Sequence, residues 1–354
     1  MKFSVNKNSF ENVLNHLQPF LDKKDSSQIT SHIYFETFEN KILLKATDYE
    51  IGLDTNIEIK KEIDGSATVN GKKILEIIKR LKDGDLTLET DSQNIHITQG
   101  RSKFKLPMFD TNEFPKNIKS QNQNKINIDT SNFIQSLKKI IPAIDSNNQK
   151  ISLTGALLEL KDYHFSFVAT DTRRLALMRQ DIQSIESFSI ILPKKAINEI
   201  IKLFPDNMEI YYSDTQLTIQ NEYYSFFTKL INDRFPDYEK IIPKEFKIQM
   251  KLPKDEIIDA IKLINSLSTK FRMTFKQGEI LFETMSNDSS EQAQTQIEFS
   301  TGLQEEFSIG IDSRYMLDFL AHIETPEFEI CINESNTPFI VKSGNFSTII
   351  LPVI

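Results

Sequence analysis

The chain has 354 residues, 39% of them hydrophobic and 26% charged, with a net charge of −8. That length fits two or three domains of roughly 100–150 residues with a sizeable interior, and the mixture reads as soluble and globular. Ten glycines argue against flexible linkers or a Gly-rich phosphate cradle, while a single cysteine, Cys331, rules out an internal disulfide framework and reads as a small buried hydrophobe.

Apolar residues recurring at i, i+3, i+4 and i+7 mark six helices along the chain. The first, over 7–20, aligns Phe10, Val13, Leu14 and Leu17, and strands follow over 42–46 and 57–63. A helix over 71–82 aligns Ile74, Leu75, Ile78 and Leu81, ahead of strands over 86–90, 95–99 and 102–106. Residues 117–125 are polar and read as a linker. The alternation then returns: a helix over 131–141 with Phe133, Leu137 and Ile140, strands over 156–160 and 165–169, a helix over 193–204 with Ile197, Ile200, Ile201 and Phe204, and strands over 208–212, 216–220 and 225–230. After a shorter linker at 243–247 come a helix over 253–264 with Ile257, Ile261 and Ile264, strands over 280–283 and 294–299, and a helix over 311–322 with Met316, Phe319 and Leu320. Pro193 and Pro253 suit the first helical turn, where no amide hydrogen bond is lost.

These starts recur every 118 to 124 residues, and two local echoes support the period. Ala46-Thr47-Asp48 returns as Ala169-Thr170-Asp171, and Asn112-Glu113-Phe114-Pro115 returns as Asp233-Arg234-Phe235-Pro236. Each third reads as strand, helix, three strands, twice over. Units of this length are far longer than solenoid repeats, so each third is expected to be a self-sufficient α+β domain, two helices packed on antiparallel sheet, with bounds at 1–120, 126–246 and 247–354.

Charge is segregated. The six helical segments sum to +6, which leaves −14 for the rest of the chain. In the helix over 193–204, Lys195, Asn198 and Lys202 lie opposite the apolar face, as do Lys72, Lys79 and Arg80 in the helix over 71–82. Two readings stand: solvated lysines on exposed faces, or one continuous positive surface suited to phosphates without base readout. The two helices of the last third are slightly acidic and do not extend the pattern.

Six stretches in order resemble the bacterial DNA polymerase III beta-subunit family, the sliding clamps, over the whole chain: Met1-Lys2-Phe3-Ser4-Val5, Gly100 to Phe104, Ala169 to Leu175, Asp233 to Tyr238, Ser313 to Leu317 with Tyr315, and Leu351-Pro352-Val353. The resemblance implies a non-catalytic processivity factor of three like domains per chain, closing head to tail as a dimeric ring with helices lining the hole, the DNA clamp fold. On that basis Lys24, Lys72, Lys79, Lys138, Lys194, Lys195, Lys202 and Lys240 are expected to face double-stranded DNA without sequence preference. Lys73, Arg101, Lys103, Phe104 and Leu106 are expected to meet Asp288, Glu291 and Glu298 of a second copy, their alternative being an ordinary strand edge with solvated charges. Leu153, Thr170, Thr172, Leu175, Pro236, Ile241, Ile349, Leu351, Pro352 and Val353, rimmed by Arg173, Arg174 and Tyr315, are expected to form a groove for short Gln- and Leu/Phe-containing peptides of the replicative polymerase, the clamp loader and repair polymerases. The alternative for these residues is interdomain packing with Arg174 as a structural ion pair. The chain departs from the family in having Thr172-Arg173 where a small residue and histidine are usual, and Ile354 where an arginine commonly follows.

Other function classes fare worse. The five histidines are isolated, and no His-Glu-x-x-His, Gly-x-Ser-x-Gly or Walker pattern is present, so neither an enzyme nor a metal or cofactor is expected. Asp288 and Glu291 lack EF-hand spacing. A monomeric acidic adaptor that binds peptides and never touches DNA suits the net charge, but not the basic helix faces. No apolar run has the roughly 18 residues of a membrane span and the N-terminus lacks a signal-peptide core, so the expected place is the cytoplasm, and the resemblance to sliding clamps implies association with the nucleoid.

Overall fold

The computed structural model describes residues 1–24, 28–115, 123–182, 187–285 and 291–354. In chain order the first third holds β1 (Lys2–Asn6), α1 (Lys7–Leu17), β2 (His32–Phe38), β3 (Lys41–Thr47), β4 (Ile51–Glu58), β5 (Lys60–Ile63), β6 (Ser66–Asn70), α2 (Gly71–Arg80), β7 (Asp85–Thr90), β8 (Asn94–Gln99) and β9 (Ser102–Pro107). The second holds β10 (Asn124–Ile126), α3 (Thr130–Ile140), β11 (Gly155–Lys161), β12 (His164–Thr170), β13 (Arg174–Asp181), β14 (Phe188–Pro193), α4 (Lys194–Leu203), β15 (Glu209–Tyr212), β16 (Gln216–Gln220) and β17 (Tyr224–Lys229). The third holds β18 (Ile248–Pro253), α5 (Lys254–Asn265), β19 (Lys270–Phe275), β20 (Glu279–Thr284), β21 (Gln294–Glu298), β22 (Phe307–Asp312), α6 (Ser313–Leu320), β23 (Glu327–Ile332), β24 (Phe339–Ser343) and β25 (Phe346–Ile350). Each third therefore runs strand, helix, three strands, twice, with β5 as the one extra strand.

The chain forms two compact units, residues 1–130 with 198–230 and residues 131–197 with 231–354. The first contains a sheet ordered β5-β1-β7-β8-β9 and an eight-stranded sheet ordered β10-β15-β16-β17-β4-β3-β2-β6; the second contains an eight-stranded sheet ordered β14-β11-β12-β13-β25-β24-β23-β18 and a sheet ordered β21-β20-β19-β22. The thirds thus do not keep separate sheets. β17 pairs antiparallel with β4, and β13 with β25, so the middle third is divided between the units. At the first junction Phe227 lies opposite Gly52, where a Cβ would stand 2.1 Å from the phenyl ring, so only glycine lets the strands close.

In the first unit α1 buries Phe10, Val13, Leu14 and Leu17 and packs against α2, which buries Ile74, Leu75 and Ile78. Phe10 meets Phe35 edge to face at 5.9 Å between ring centroids. Both helices start on asparagine: Asn6 accepts from the Asn8 and Ser9 amides, and Asn70 from the Lys73 amide. In the second unit α5 packs on α6, and Phe319 of α6 stands against Phe328 and Phe346.

Several expected bounds shift for local reasons. The helix expected over 7–20 ends at Leu17, because Pro19 draws Gln18–Phe20 into a 3₁₀ turn. Pro193 and Pro253 do not enter their helices; they close β14 and β18, opposite Gly155 and Glu327. The last helix begins at Ser313, since Ile311 is held in β22 against Phe271 and Asp312 caps the Arg314 amide. The strand expected over 57–63 breaks at Ile59, between β4 and β5. Of the segment read as a linker, 117–122 lies outside the described residues, while Asn124 and Lys125 belong to β10.

Candidate functional site

Between β12 and β13 the chain reverses through Asp171, Thr172 and Arg173. Threonine and aspartate build the reversal because their short oxygens reach back to nearby backbone groups. Thr170 Oγ1 donates to the Arg174 carbonyl at 2.6 Å and accepts from the Thr172 amide at 3.1 Å; Asp171 Oδ1 accepts from the amides of Arg173 and Arg174 at 2.9 and 2.8 Å. Thr172 is held at φ 73°, a left-handed conformation that is costly for a β-branched residue.

The two arginines of this turn have different fates. Arg174 is only 9% exposed, and each nitrogen of its guanidinium donates a hydrogen bond. Nε donates to Asp171 Oδ2 at 3.1 Å, Nη1 to Asp318 Oδ2 at 2.6 Å, and Nη2 to the carbonyl of Pro142 in the 3₁₀ turn that follows α3. Its plane also stands over the Tyr315 ring at 4.6 Å. One residue thereby ties the turn, the end of α3 and helix α6 together, which the planar five-donor fork of arginine can do and a lysine cannot. Arg173 is instead exposed, although its backbone is fixed: its amide donates to Asp171 and its carbonyl accepts from the Leu351 amide at 2.9 Å. Beneath Tyr315, Arg314 grips Asp312 through two hydrogen bonds of 3.0 and 2.6 Å. Burial pushes the Asp312 carboxyl up, but the bonds from Arg314 outweigh it and hold the carboxyl below its usual range.

Leu175 follows the turn into one buried apolar cluster with Leu153, Leu157, Val168, Leu177, Ile191, Phe235, Tyr238, Cys331, Ile340 and Ile349. Burial raises the Cys331 thiol to about 12, so it is inert packing. Beside the cluster Ile241 and Leu351 are 46% and 37% exposed, while Pro236, Pro352 and Val353 are half-buried. The tail after β25 is pinned twice, by Leu351 to Arg173 and by the Val353 amide to the Gly310 carbonyl at 2.9 Å. A Cβ on Gly310 would sit 2.1 Å from the Val353 carbonyl oxygen, so glycine there lets the tail lie down. All the residues expected to hold peptides therefore fall in the second unit, around the β13–β25 junction, but Arg174 is a buried tie and not a rim group. Pro142 and Asp318, which define its role together with Asp171 of the Ala-Thr-Asp echo, carry no sequence signal, whereas Phe235 could have been found through the Phe-Pro echo.

The eight lysines expected at DNA divide evenly. Lys24, Lys72, Lys79 and Lys202 belong to the first unit and Lys138, Lys194, Lys195 and Lys240 to the second. All are exposed except Lys194, which is half-buried and donates to the Ile144 carbonyl at 2.7 Å. Lys240 is paired with Asp237 at 2.7 Å, and Lys202 stands 3.9 Å from Glu199. Four of the residues expected at a subunit contact, Lys103, Phe104, Leu106 and Glu298, lie on strands at open sheet edges. β9, with exposed Lys103 and Phe104 and half-buried Leu106, is an edge strand of the first unit; Arg101 precedes it and Lys73 is exposed on α2. β21, with exposed Glu298 and with Glu291 just before it, is an edge strand of the second; Asp288 lies outside the described residues. Among the described residues no group of three or more His, Cys, Asp or Glu side chains could hold a metal ion, and no helix is long and apolar enough to cross a membrane.

Comparison with known proteins matches three successive family models, the N-terminal, central and C-terminal domains of the DNA polymerase III beta subunit, over residues 1–119, 127–237 and 239–353. A beta sliding clamp of Helicobacter pylori is 38% identical, and one of Chlamydia muridarum 24%, the alignments covering 98% or more of every chain. Among solved structures, the Helicobacter pylori beta clamp bound to a DNA ligase peptide superposes with a TM-score of 0.95 at 39% identity, with both chains covered in full. The beta subunit from Pseudomonas aeruginosa shares the fold at 22% identity and a TM-score of 0.91. With its three-domain clamp fold and end-to-end matches, the chain belongs to the DNA polymerase III beta-subunit family, the beta sliding clamps, which are non-catalytic processivity factors.

Proposed function

We propose that two copies of this chain close head to tail around duplex DNA, slide on it without reading sequence, and hold partner proteins by peptides seated beside Arg174. The observation that carries this reading is the full-length likeness to a beta clamp whose structure contains a DNA ligase peptide. Geometry supports the stoichiometry. Helices about 10 Å apart leave roughly 9 Å clear in a ring of six, less than the about 12 Å width of the major groove alone, whereas twelve leave roughly 28 Å. One chain supplies six α-helices among its described residues, so two chains are the smallest ring that admits DNA. The open edges β9 and β21 suit the closure: one carries Lys103 with Arg101 beside it, the other Glu298 with Glu291 beside it.

The lysines on the helices and at their rim hold phosphates loosely, largely through water, because tight contacts would stop sliding. In this reading the clamp domains span 1–120, 126–246 and 247–354, the protein works in the cytoplasm at the nucleoid, and the replicative polymerase subunit, the clamp loader and repair polymerases share one peptide site per chain. The test is retention: a loaded ring stays on closed circular DNA in salt that abolishes electrostatic binding and runs off linear DNA. Equal release from both makes the protein an ordinary electrostatic binder. A chain that stays monomeric at micromolar concentration fits the peptide-binding adaptor instead. Removing residues 351–354 abolishes peptide binding while dimerisation survives.

A further inference from the structure

The first helix of each third can be aligned with the others through its buried face. Phe10, Leu14 and Leu17 of α1 correspond to Phe133, Leu137 and Ile140 of α3 and to Ile257, Ile261 and Ile264 of α5. In that alignment three exposed positions hold Asn8, Ser9 and Asn12 in α1 and Ser131, Asn132 and Gln135 in α3, all neutral. In α5 the same positions are Asp255, Glu256 and Asp259, all exposed and, among the described residues, in no ion pair or hydrogen bond. Lys262 is the one exposed cation of α5, because Lys254 is half-buried and donates to the Ile323 carbonyl at 2.7 Å. The basic faces belong to other helices: α2 carries Lys72, Lys73, Lys79 and Arg80 against Glu76, and α3 ends on Lys138 and Lys139. Helix stability accounts for part of the acid. Pro253 gives α5 no side-chain cap, so Asp255 and Glu256 in the first turn answer the helix dipole. Asp259 lies beyond that turn, four residues after Asp255, a spacing at which like charges repel each other.

We propose that the exposed acids of α5 form a repelling wall for the phosphate backbone of duplex DNA, so that contact is left to the basic faces of α2, α3 and α4. The inference rests on the reading that the helices face DNA, and it makes Asp255, Glu256 and Asp259 positioning residues for sliding. A lining of cations alone draws the backbone in until phosphates sit directly on ammonium groups. A carboxylate face set among neutral and basic ones opposes that approach and keeps water between protein and DNA. The Asn, Ser and Gln side chains at the same positions of α1 and α3 hold water without repelling phosphate. A divalent cation on the acids would reverse the sign, but among the described residues no group of three or more metal-ligating side chains is gathered in α5.

The test uses the full-length protein and a labelled linear duplex at about 0.1 M salt, where the screening length is about 10 Å. Repulsion across about 10 Å of water at that screening is worth about 1.3-fold per charge, and two chains carry six of these acids. D255N/E256Q/D259N is therefore expected to bind the duplex about 5-fold more tightly, and rings loaded on DNA to diffuse more slowly along it. D259K, outside the first turn, is expected to tighten binding about 3-fold without lowering the thermal midpoint. Both gains vanish toward 1 M salt, where the screening length is about 3 Å. Unchanged or weaker binding in both variants overturns the inference. So does a gain in the triple variant that D259K lacks, which makes the acids a helix-stabilising device only, and so does weakening that appears only with magnesium, which makes them a cation bridge to phosphate. K72Q/K138Q/K202Q separates this inference from the reading beneath it. Weaker duplex binding in that variant, with no gain in the α5 variants, sinks the wall alone; duplex binding indifferent to those lysines removes the DNA-facing reading and the inference with it.

Discussion

In the first unit the reversal between β3 and β4 has Thr47 Oγ1 donating to the Ile51 carbonyl and accepting from the Tyr49 amide, while Asp48 Oδ1 accepts from the amides of Glu50 and Ile51. In the second unit Thr170 and Asp171 make the same four bonds between β12 and β13, and the third residue of each turn is left-handed, Tyr49 at φ 71° and Thr172 at 73°. The turns part at their fifth residue. Ile51 is buried among hydrophobes, whereas Arg174 reaches out to Asp318, to the Pro142 carbonyl and over Tyr315. The comparison teaches that the Thr-Asp reversal is a scaffold common to both repeats, and that a single side chain leaving it determines whether the turn only closes a hairpin or anchors a site.

Exchanging those fifth residues gives the largest effects. I51R puts a guanidinium where isoleucine is 2% exposed, and is expected to cost about 4 kcal/mol in urea unfolding, as an unpaired buried charge does. A loss under about 1 kcal/mol would mean that the first turn can host a cation as the second does, and the contrast would dissolve. The reverse exchange, R174I, leaves Asp171 Oδ2, Asp318 and the Pro142 carbonyl without the guanidinium; about 3 kcal/mol is expected, below the upper range because Asp171 keeps its two amide donors and Asp318 is 41% exposed. Peptide affinity falls with it, and R174K does not restore either quantity because one ammonium cannot span three acceptors. T47V and T170V test the scaffold: each removes one buried hydroxyl that both donates and accepts, at about 1–2 kcal/mol, and the two losses agree if the turns are equivalent. Smallest are Y49G and T172G. Relief of positive φ should make T172G about 0.5 kcal/mol more stable, and Y49G less so, because only threonine is β-branched there.

The helices were legible because their apolar spacing is local. Ile74, Leu75 and Ile78 announce α2 by themselves, and the burial of those residues follows the spacing. The repeated Ala-Thr-Asp was legible for the same reason. What joins the thirds was not: pairing of β4 with β17 and of β13 with β25 links residues more than a hundred positions apart and leaves no periodic trace in either strand. Arg174 fails similarly. An arginine entering an apolar run reads as a rim group, and only Asp318, 144 positions away, together with a backbone carbonyl that sequence cannot display, turns it inward.

The continuity of the two eight-stranded sheets has a mechanical meaning. Five antiparallel residue pairs, Thr55–Tyr224 to Ile51–Thr228, fasten the first third to the second, and five more, Arg174–Ile350 to Met178–Phe346, fasten the second to the third. A pull between successive thirds is therefore borne by rows of main-chain hydrogen bonds as well as by the chain connecting them. Cutting the peptide backbone between 243 and 247 leaves β13 zipped to β25, so the fragments behave as a split protein that stays whole. The covalent links establish the order of the thirds, and the sheets supply their tensile strength.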